Sequence, residues 1–275
     1  MNRLSLAPVT INEVDPPALI EAAHEAGFAS IDLRVLGAPG AAPVTPVIGN
    51  RPMIAAIAAA LADTGVTLFS ATGIWLVPEF EPDAALPALE VAARLGASHF
   101  LAVGNDPEEG RMTANLARLA ELARVHRLHL ALELMPYTAV NSLAKAHRMV
   151  AATQAGNLGL LIDALHLARA GGTPTEVAAL PRDHIAYLQL CDAPAELPAG
   201  MSLRQESLGA RLYPGEGALP LFSLMDALPE DVAIDVETPV ASNQRLSATE
   251  RARLALSATQ RFLAAWANHK SGVSS

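Results

Sequence analysis

Four side chains that could bind a cation stand at or near the ends of short apolar segments in the second half of the sequence. The segments are LHLALEL, LGLLID, IAYLQL and VAIDVE, and the side chains are Glu133, Asp163, Gln189 and Glu237. An ionised carboxylate in apolar surroundings costs several kcal/mol unless it is paired with or bound to a cation. Because these segments contain neither Lys nor Arg, a bound metal ion would compensate the carboxylates.

Three carboxylates and one amide oxygen form a donor set typical of a hard divalent cation. Mn²⁺, Mg²⁺ and Co²⁺ suit such ligands better than a structural zinc ion, which prefers thiolates and imidazoles. The sequence therefore predicts one divalent metal ion bound by Glu133, Asp163, Gln189 and Glu237. The alternative for one or two of the carboxylates is that they cap the helices that follow, because Asp and Glu are common at helix N-termini.

Two further side chains could complete such a site. His166 lies three residues after Asp163, and that spacing would bring its imidazole beside the metal as a base or a substrate contact. The alternative is a loop histidine held by a hydrogen bond. Trp75, in the segment GIWLVP, could form a wall against a substrate ring, although a packing role explains it equally well.

A repeated helix–strand unit would position these side chains. Segments such as AAALADTGVTLFSA and VAARLGASHFLAV join an Ala-rich helix to a short apolar strand, with a period of about 30 residues. The predicted strands lie near residues 3–8, 30–35, 66–71, 99–104, 128–134, 158–163, 185–190 and 232–237. The predicted helices lie near residues 16–26, 50–64, 83–95, 111–125, 141–154, 174–180, 218–228 and 247–268.

Eight such units favour a single (β/α)8 TIM barrel, whose functional side chains lie at the C-terminal ends of the strands. The rival fold is an open doubly wound sheet, but no predicted strand is followed by a Gly-rich dinucleotide-binding loop. The barrel is predicted to span residues 1–270, and residues 271–275 are predicted to be a frayed tail.

The composition indicates a folded protein without disulfide bonds. Hydrophobic residues make up 51% of the 275 residues and charged residues 17%, which argues against disorder. The formal net charge of −9 argues against nucleic acid as a partner, because the phosphates would be repelled. Cys191 is the single cysteine, and neither a signal peptide nor a membrane span is recognisable. We therefore expect a cytoplasmic protein with no membrane partner, and a homo-oligomer is left open.

The motifs LGLLIDALHLARAGG, YLQLCDAP, RLYPGEG and IDVETP resemble the xylose isomerase-like TIM barrels, the sugar phosphate isomerase/epimerase superfamily. The resemblance covers nearly the whole chain in strand order. It implies that the four residues named above bind the metal and that His166 and Arg211 contact the substrate. In the sugar epimerases of this group two metal-bound glutamates shuttle the proton, and the matching residues here are Glu133 and Glu237.

Gln189 departs from the epimerase pattern, in which this position is usually a histidine. The phrase Gln-x-x-Asp-Ala-Pro that Gln189 begins is more similar to the bacterial 3-dehydroshikimate dehydratases of the same superfamily. The pairing of Asp-x-x-His with a later arginine before Pro-Gly is also shared with them. The resemblance thus leaves both an epimerase and a dehydratase open.

Arg211 and Arg34 could each bind a carboxylate or phosphate group of the substrate. The alternative for each is a surface ion pair. Two arginines facing the site would favour an anionic substrate over a neutral sugar.

The predicted reaction begins when Glu133, Glu237 or His166 removes a proton next to a metal-polarised carbonyl of a small polyhydroxylated substrate. An isomerase or epimerase returns the proton to another carbon or the other face, whereas a dehydratase, a lyase, expels a β-hydroxyl group. A non-catalytic barrel that binds a sugar or a protein partner is a third alternative, but the intact ligand set argues against it. A DNA-repair nuclease would need a His-rich mouth and a basic face, and the sequence shows neither.

Overall fold

Parallel β-strands form a closed barrel in which each strand pairs with its neighbours in chain order. The computed structural model describes residues 4–39 and 44–272, and this part of the chain contains eight strands. They are β1 Leu4–Leu6, β2 Ser30–Arg34, β3 Thr67–Leu76, β4 His99–Gly104, β5 His129–Glu133, β6 Leu158–Asp163, β7 Ile185–Leu190 and β8 Ile234–Val236. The predicted (β/α)8 TIM barrel is confirmed. The largest difference is in β3, which continues to Leu76 through a register shift between Thr72 and Ile74.

Helices follow the strands on the outside of the barrel. They are α1 Pro16–Ala26, α2 Arg51–Thr64, α3 Leu86–Arg94, α4 Glu109–Val125, α5 Leu143–Thr153, α6 Ala164–Arg169, α7 Pro174–Ala178, α8 Leu203–Gly209, α9 Leu221–Ala227 and α10 Ala248–Lys270. The sequence predicted neither α6 nor α8. His166 therefore lies on a helix rather than in a loop, because Asp163 caps α6 by accepting a hydrogen bond from the His166 N–H at 2.9 Å.

Alternation along the strands divides the apolar residues into two sets. Outward side chains such as Leu132, Ile162 and Leu188 belong to the large core between the barrel and its helices. Inward side chains form a smaller cluster inside the barrel, which includes Leu161 and Tyr187. Polar side chains take the neighbouring inward positions, and they are placed by the register that pairs Asp163 with Gln189, Gln189 with Asp235 and Ser5 with Asp235.

The two ends of the chain close the barrel against each other. Strand β1 pairs with β8, and the Thr10 hydroxyl donates to the carbonyl of Val236 at 3.0 Å while accepting from the Thr238 N–H at 2.9 Å. Helix α10 ends at Lys270, and residues 273–275 of the predicted tail lie outside the described residues. Among the described helices, none combines the length and the apolar character needed to cross a membrane.

Candidate active site

A cavity of about 420 Å³ opens at the C-terminal ends of the strands, and we call it the mouth cavity. Seven of the predicted site residues line it: Arg34, Trp75, Glu133, His166, Gln189, Arg211 and Glu237. Asp163, the eighth, lies beside them with 1% of its surface exposed. The eight predicted residues therefore come together at one end of the barrel.

Three of these side chains are placed so that they could hold one metal ion. The ligand atoms of Glu133, Asp163 and His166 all lie within 4.8 Å of one another. His166 Nε2 is 3.8 Å from Glu133 Oε1. The sequence predicted His166 next to the metal as a base or a substrate contact. In the structure its ring nitrogen is also close enough to Glu133 and Asp163 to be a metal ligand itself.

Gln189 offers an oxygen that the surrounding protein does not use. Its Nε2 donates a hydrogen bond to Asp235 Oδ2 at 3.2 Å, which fixes the orientation of the amide. Its Oε1 is buried and has no hydrogen-bond partner among the described residues. A buried amide oxygen without a partner is costly, and a cation would satisfy it. This donor set therefore fits a divalent cation, and the ligand roles of Gln189 and Glu237 stay predictions.

Arg211 lies between two of the predicted ligands. Its Nη1 donates to Asp163 Oδ2 and its Nη2 contacts Glu237 Oε2, both at 2.6 Å, while its Nε donates to the Ser207 carbonyl at 2.9 Å. The carboxylates thus have a basic partner that comes from outside the strands. The apolar segments that carry these carboxylates contain no Lys or Arg, as the sequence indicated, and the partner is 48 residues from Asp163 in the sequence.

Burial and neighbouring charges separate the proton affinities of these groups. Burial, followed by the nearby carboxylates, raises the pKa of Glu133 well above its usual value, and burial raises that of Glu237 to about 8. Burial also acts to raise the pKa of Asp163, but the Arg211 charge and its hydrogen bonds hold it below the usual value. Burial lowers the pKa of His166 to about 4, so its imidazole is neutral near pH 7. The site thus combines carboxyl groups that hold a proton readily with an imidazole free to accept one.

An aromatic and polar wall faces these groups across the cavity mouth. Tyr137 packs edge-on against the His166 ring, with centroids 5.5 Å apart, and its hydroxyl is 3.0 Å from Ser207 Oγ. Helix α8 also brings Arg204 to the cavity. Burial raises the pKa of Tyr137 to about 12, so it stays a hydrogen-bond donor. Sequence reasoning identified none of Tyr137, Ser207 and Arg204. Tyr137 lies in the loop after β5, and Ser207 and Arg204 lie on α8, a helix that the sequence did not predict.

Asp32 is a further cavity residue that sequence reasoning missed. It lies in β2 two residues before Arg34, and strand alternation places both side chains on the same face. That spacing was the signal that could have identified it once Arg34 was considered.

The glycine loop at residues 214–217, between α8 and α9, has a structural role. The Asp192 carboxylate accepts hydrogen bonds from the backbone N–H groups of Gly215 and Gly217 at 3.0 and 2.9 Å, and also from Ala193 and Leu219. A Cβ on Gly217 would lie 2.3 Å from Asp192 Oδ1, so only glycine fits there. These backbone N–H groups are therefore occupied within the protein and are not free to bind a ligand. The backbone of Asp192 also pairs with Leu212, next to Arg211, and the loop thereby holds Arg211 in the site.

Comparison with known proteins assigns the family. A family model described as xylose isomerase-like TIM barrel matches residues 20–262. The chain belongs to the xylose isomerase-like TIM-barrel family. This confirms the resemblance seen in the sequence motifs.

Two curated proteins are similar to this xylose isomerase-like chain. A 3-dehydroshikimate dehydratase of Pseudomonas aeruginosa is 31% identical over 115 residues, which cover 42% of this chain and 18% of that protein. An inosose isomerase of Halalkalibacterium halodurans is 26% identical over 184 residues, which cover 62% of this chain and 64% of that protein. The matches thus span less than two thirds of the length of either relative.

Solved structures share the family fold. The IolI protein, described with a bound zinc atom, has a TM-score of 0.78 at 18% identity, covering 96% of this chain and 98% of that one. The probable 3-DHS dehydratase AsbF from Bacillus anthracis has a TM-score of 0.73 at 13% identity, covering 94% and 98%. At these identities the likeness concerns the barrel alone.

Proposed function

We propose that this xylose isomerase-like barrel is a divalent-metal-dependent isomerase or epimerase that removes a proton next to a carbonyl of a small polyhydroxylated substrate. The observation that carries the proposal is the pair of buried carboxyl groups of Glu133 and Glu237, which line the mouth cavity with raised pKa values. Raised carboxyl pKa values suit groups that take and return protons near neutral pH. The inosose isomerase relative, which matches the larger share of this chain, supports an isomerase.

The metal would be held by Glu133, Asp163, Gln189 and Glu237, with His166 close enough to share in binding it. A divalent ion there would polarise the substrate carbonyl and lower the cost of removing a proton from the neighbouring carbon. Mn²⁺, Mg²⁺ and Co²⁺ are the ions that we propose for these oxygen-rich ligands.

The protein's own groups would move the proton and hold the substrate. Glu133, Glu237 or the neutral His166 takes the proton at its carboxylate oxygen or imidazole nitrogen, and an isomerase or epimerase returns it to a substrate carbon. Arg211 and Arg34 would bind negatively charged oxygens of the substrate, and Trp75 would face its ring or carbon chain.

A dehydratase acting on 3-dehydroshikimate is the second candidate. Gln189, in place of the histidine usual in epimerases, and the Pseudomonas aeruginosa relative both favour it. Its first step is the same proton removal. The β-hydroxyl group then leaves with a proton as water, and a carbon–carbon double bond forms.

The test combines metal analysis with two substrates and one matched pair of variants. Purified protein should contain about one divalent ion per chain, and a chelator should abolish turnover that Mn²⁺ restores. Inosose is assayed for isomerisation, and 3-dehydroshikimate for an aromatic ultraviolet product. Glu237→Gln should lower kcat by about 10²- to 10⁴-fold, because it removes a group that exchanges protons.

Glu216→Gln is the control for Glu237→Gln, because Glu216 is exposed on the neighbouring loop and should leave kcat unchanged. Turnover that persists without any metal, or a fully active Glu237→Gln variant, would refute the proposed site. The substrate that reacts decides between the isomerase and the dehydratase.

A further inference from the structure

The carboxyl group of Asp32 is buried, and no hydrogen bond of normal geometry and no ion pair from the described residues compensates for the loss of its contact with water. The residue is 1% exposed, and neither Oδ1 nor Oδ2 makes a hydrogen bond of normal geometry with any described residue. Asp106 is equally buried, but its oxygens accept from Arg111 Nε at 2.6 Å, Arg111 Nη2 at 2.7 Å and the Glu108 N–H at 2.9 Å. Burial without partners costs free energy that burial with partners does not. Asp32 therefore weakens the fold in a way that Asp106 does not.

The charges around Asp32 add to this cost. Burial is the first cause that raises its pKa, and the neighbouring carboxyl groups of Asp235 and Glu237 raise it further. The charge of Arg34 and the backbone N–H of Leu33 lower it, but not enough to offset the rise. A residue that costs stability and has no structural partner is typical of a functional position.

The position of Asp32 shows what it could bind. It lines the mouth cavity from β2, and the strand order of the closed barrel puts β2 opposite β6, which carries Asp163. A small substrate held beside Glu133 and His166 would therefore extend across the cavity towards β2. A carboxyl group at that point suits a hydroxyl group of the substrate. The hydroxyl can donate a hydrogen bond to one of the Asp32 oxygens, which have no other hydrogen-bond partner among the described residues.

We propose that Asp32 is a substrate-binding residue that accepts a hydrogen bond from a substrate hydroxyl group, on the β2 wall of the mouth cavity, opposite the strand that carries Asp163. The inference rests on the proposed function, because it takes the substrate to be a polyhydroxylated compound bound in this cavity. It adds a specificity determinant: a substrate that lacks the hydroxyl leaves the buried carboxyl group without a partner and is selected against.

The experiment compares Asp32→Asn with Asp106→Asn in the metal-loaded protein. Asp32→Asn should raise the thermal midpoint by about 2–4 °C, because it removes an uncompensated acid. Asp32→Leu, which removes both acceptor oxygens, should lower kcat/KM for the reactive substrate, inosose or 3-dehydroshikimate, by about 10- to 100-fold, and Asp32→Asn, whose amide oxygen still accepts, should lower it less. The metal content of both variants should equal that of the wild type. Asp106→Asn should lower the midpoint and leave kcat/KM unchanged, because it weakens a pairing outside the cavity.

Several outcomes would overturn the inference. These are a lower midpoint for Asp32→Asn, a kcat/KM for Asp32→Leu within twofold of the wild type, or loss of the metal from either variant. Asp32→Leu is the second variant, and failure of both variants to fold would show a structural role and also overturn it. If the wild type converts neither compound, the proposed function fails, and the sign of the midpoint change then decides whether Asp32 has a structural role.

Discussion

Single side chains at the barrel mouth are held by partners from distant parts of the chain. Arg211 contacts Asp163 and Glu237 at 2.6 Å each, and this arrangement uses the planar fork of a guanidinium. One positive charge between two buried carboxylates keeps Asp163 ionised, while Glu237 retains a raised pKa. Two acidic residues in one site thereby acquire different proton affinities, which general acid–base chemistry requires.

His99 links the stability of the protein to pH at the opposite, N-terminal end of the barrel. Its ring lies against Phe69 and Tyr187, with centroids 4.7 and 5.5 Å away. Burial, followed by the charge of His129, lowers the pKa of His99 to about 4, compared with about 6.5 in the unfolded chain. The unfolded state therefore binds more protons than the folded state below pH ~6.5, so stability falls as the pH drops from there towards 4.

We expect His99→Phe to remove this loss. Wild-type protein should lose about 2–3 kcal/mol more of its unfolding free energy than the variant between pH 7 and pH 4.5. Urea unfolding of both proteins at the two pH values measures the difference. Equal losses in the two proteins would show that His99 is not the cause.

At the scale of elements, helix α8 covers the mouth cavity and is fastened by one buried ion pair. Arg169 on α6 donates to both carboxylate oxygens of Glu206 on α8, at 2.8 and 2.6 Å, and Glu206 is fully buried. The same arginine also donates to the carbonyls of Pro194 and Ala195. Helices α6 and α8 and the loop after β7 are thus joined at one point.

Breaking this pair should destabilise the protein strongly. Glu206→Gln should lower the unfolding free energy by about 3–5 kcal/mol, because it leaves the Arg169 charge buried and underpaired. Asp83→Asn is the control, since the Arg118–Asp83 pair is exposed and its loss should leave the unfolding free energy almost unchanged. Urea unfolding compares the two variants, and similar small losses in both would contradict the assigned role of Glu206.

The sequence predicted most elements because their apolar patterns are local. Strands β6 and β7 coincide with the predicted segments 158–163 and 185–190, since continuous apolar runs are typical of buried parallel strands. Helices α6 and α8 were missed because six or seven residues carry little periodicity, although the capping box of Ser202 and Gln205 marks the start of α8.

The candidate site was predictable only in part, because some of its features are local in the sequence and others depend on long-range contacts. Glu133 and Asp163 stand at the ends of apolar runs, and this is visible in the sequence. The pairing of Arg211 with Asp163 and the unpaired state of Asp32 depend on contacts between distant segments. A single sequence does not specify such contacts.

At the scale of the whole molecule, closure of the barrel joins the two ends of the chain. Strand β1 pairs with β8, and helix α1 packs on α10. The Thr10 hydroxyl accepts from Thr238 N–H and donates to Val236, residues that are more than 220 positions away in the chain. The barrel has no free edge along these strands, so loosening this junction exposes two edges at once.

Thr10→Val should test the contribution of this junction. Valine keeps the shape of threonine but leaves the buried Thr238 N–H without its acceptor, so the unfolding free energy should fall by about 1–3 kcal/mol. Thr113→Val, which removes a surface hydroxyl on α4 that bonds only within its helix, should change it by less than about 0.5 kcal/mol. Hydrogen exchange of β1 and β8 should also quicken in the Thr10 variant alone. An unchanged exchange rate there would argue against a closing role.

Arg211 also bears on the order in which the protein matures. Because its guanidinium neutralises two of the predicted metal ligands, the chain has a counter-ion of its own while it folds. We therefore expect the barrel to close without a bound metal ion, in contrast to small domains whose folding depends on metal binding. Metal loading would then exchange one cation for another at shared oxygens. If the protein needs the metal as we propose, a cell that is short of it would accumulate folded, inactive protein rather than unfolded chains.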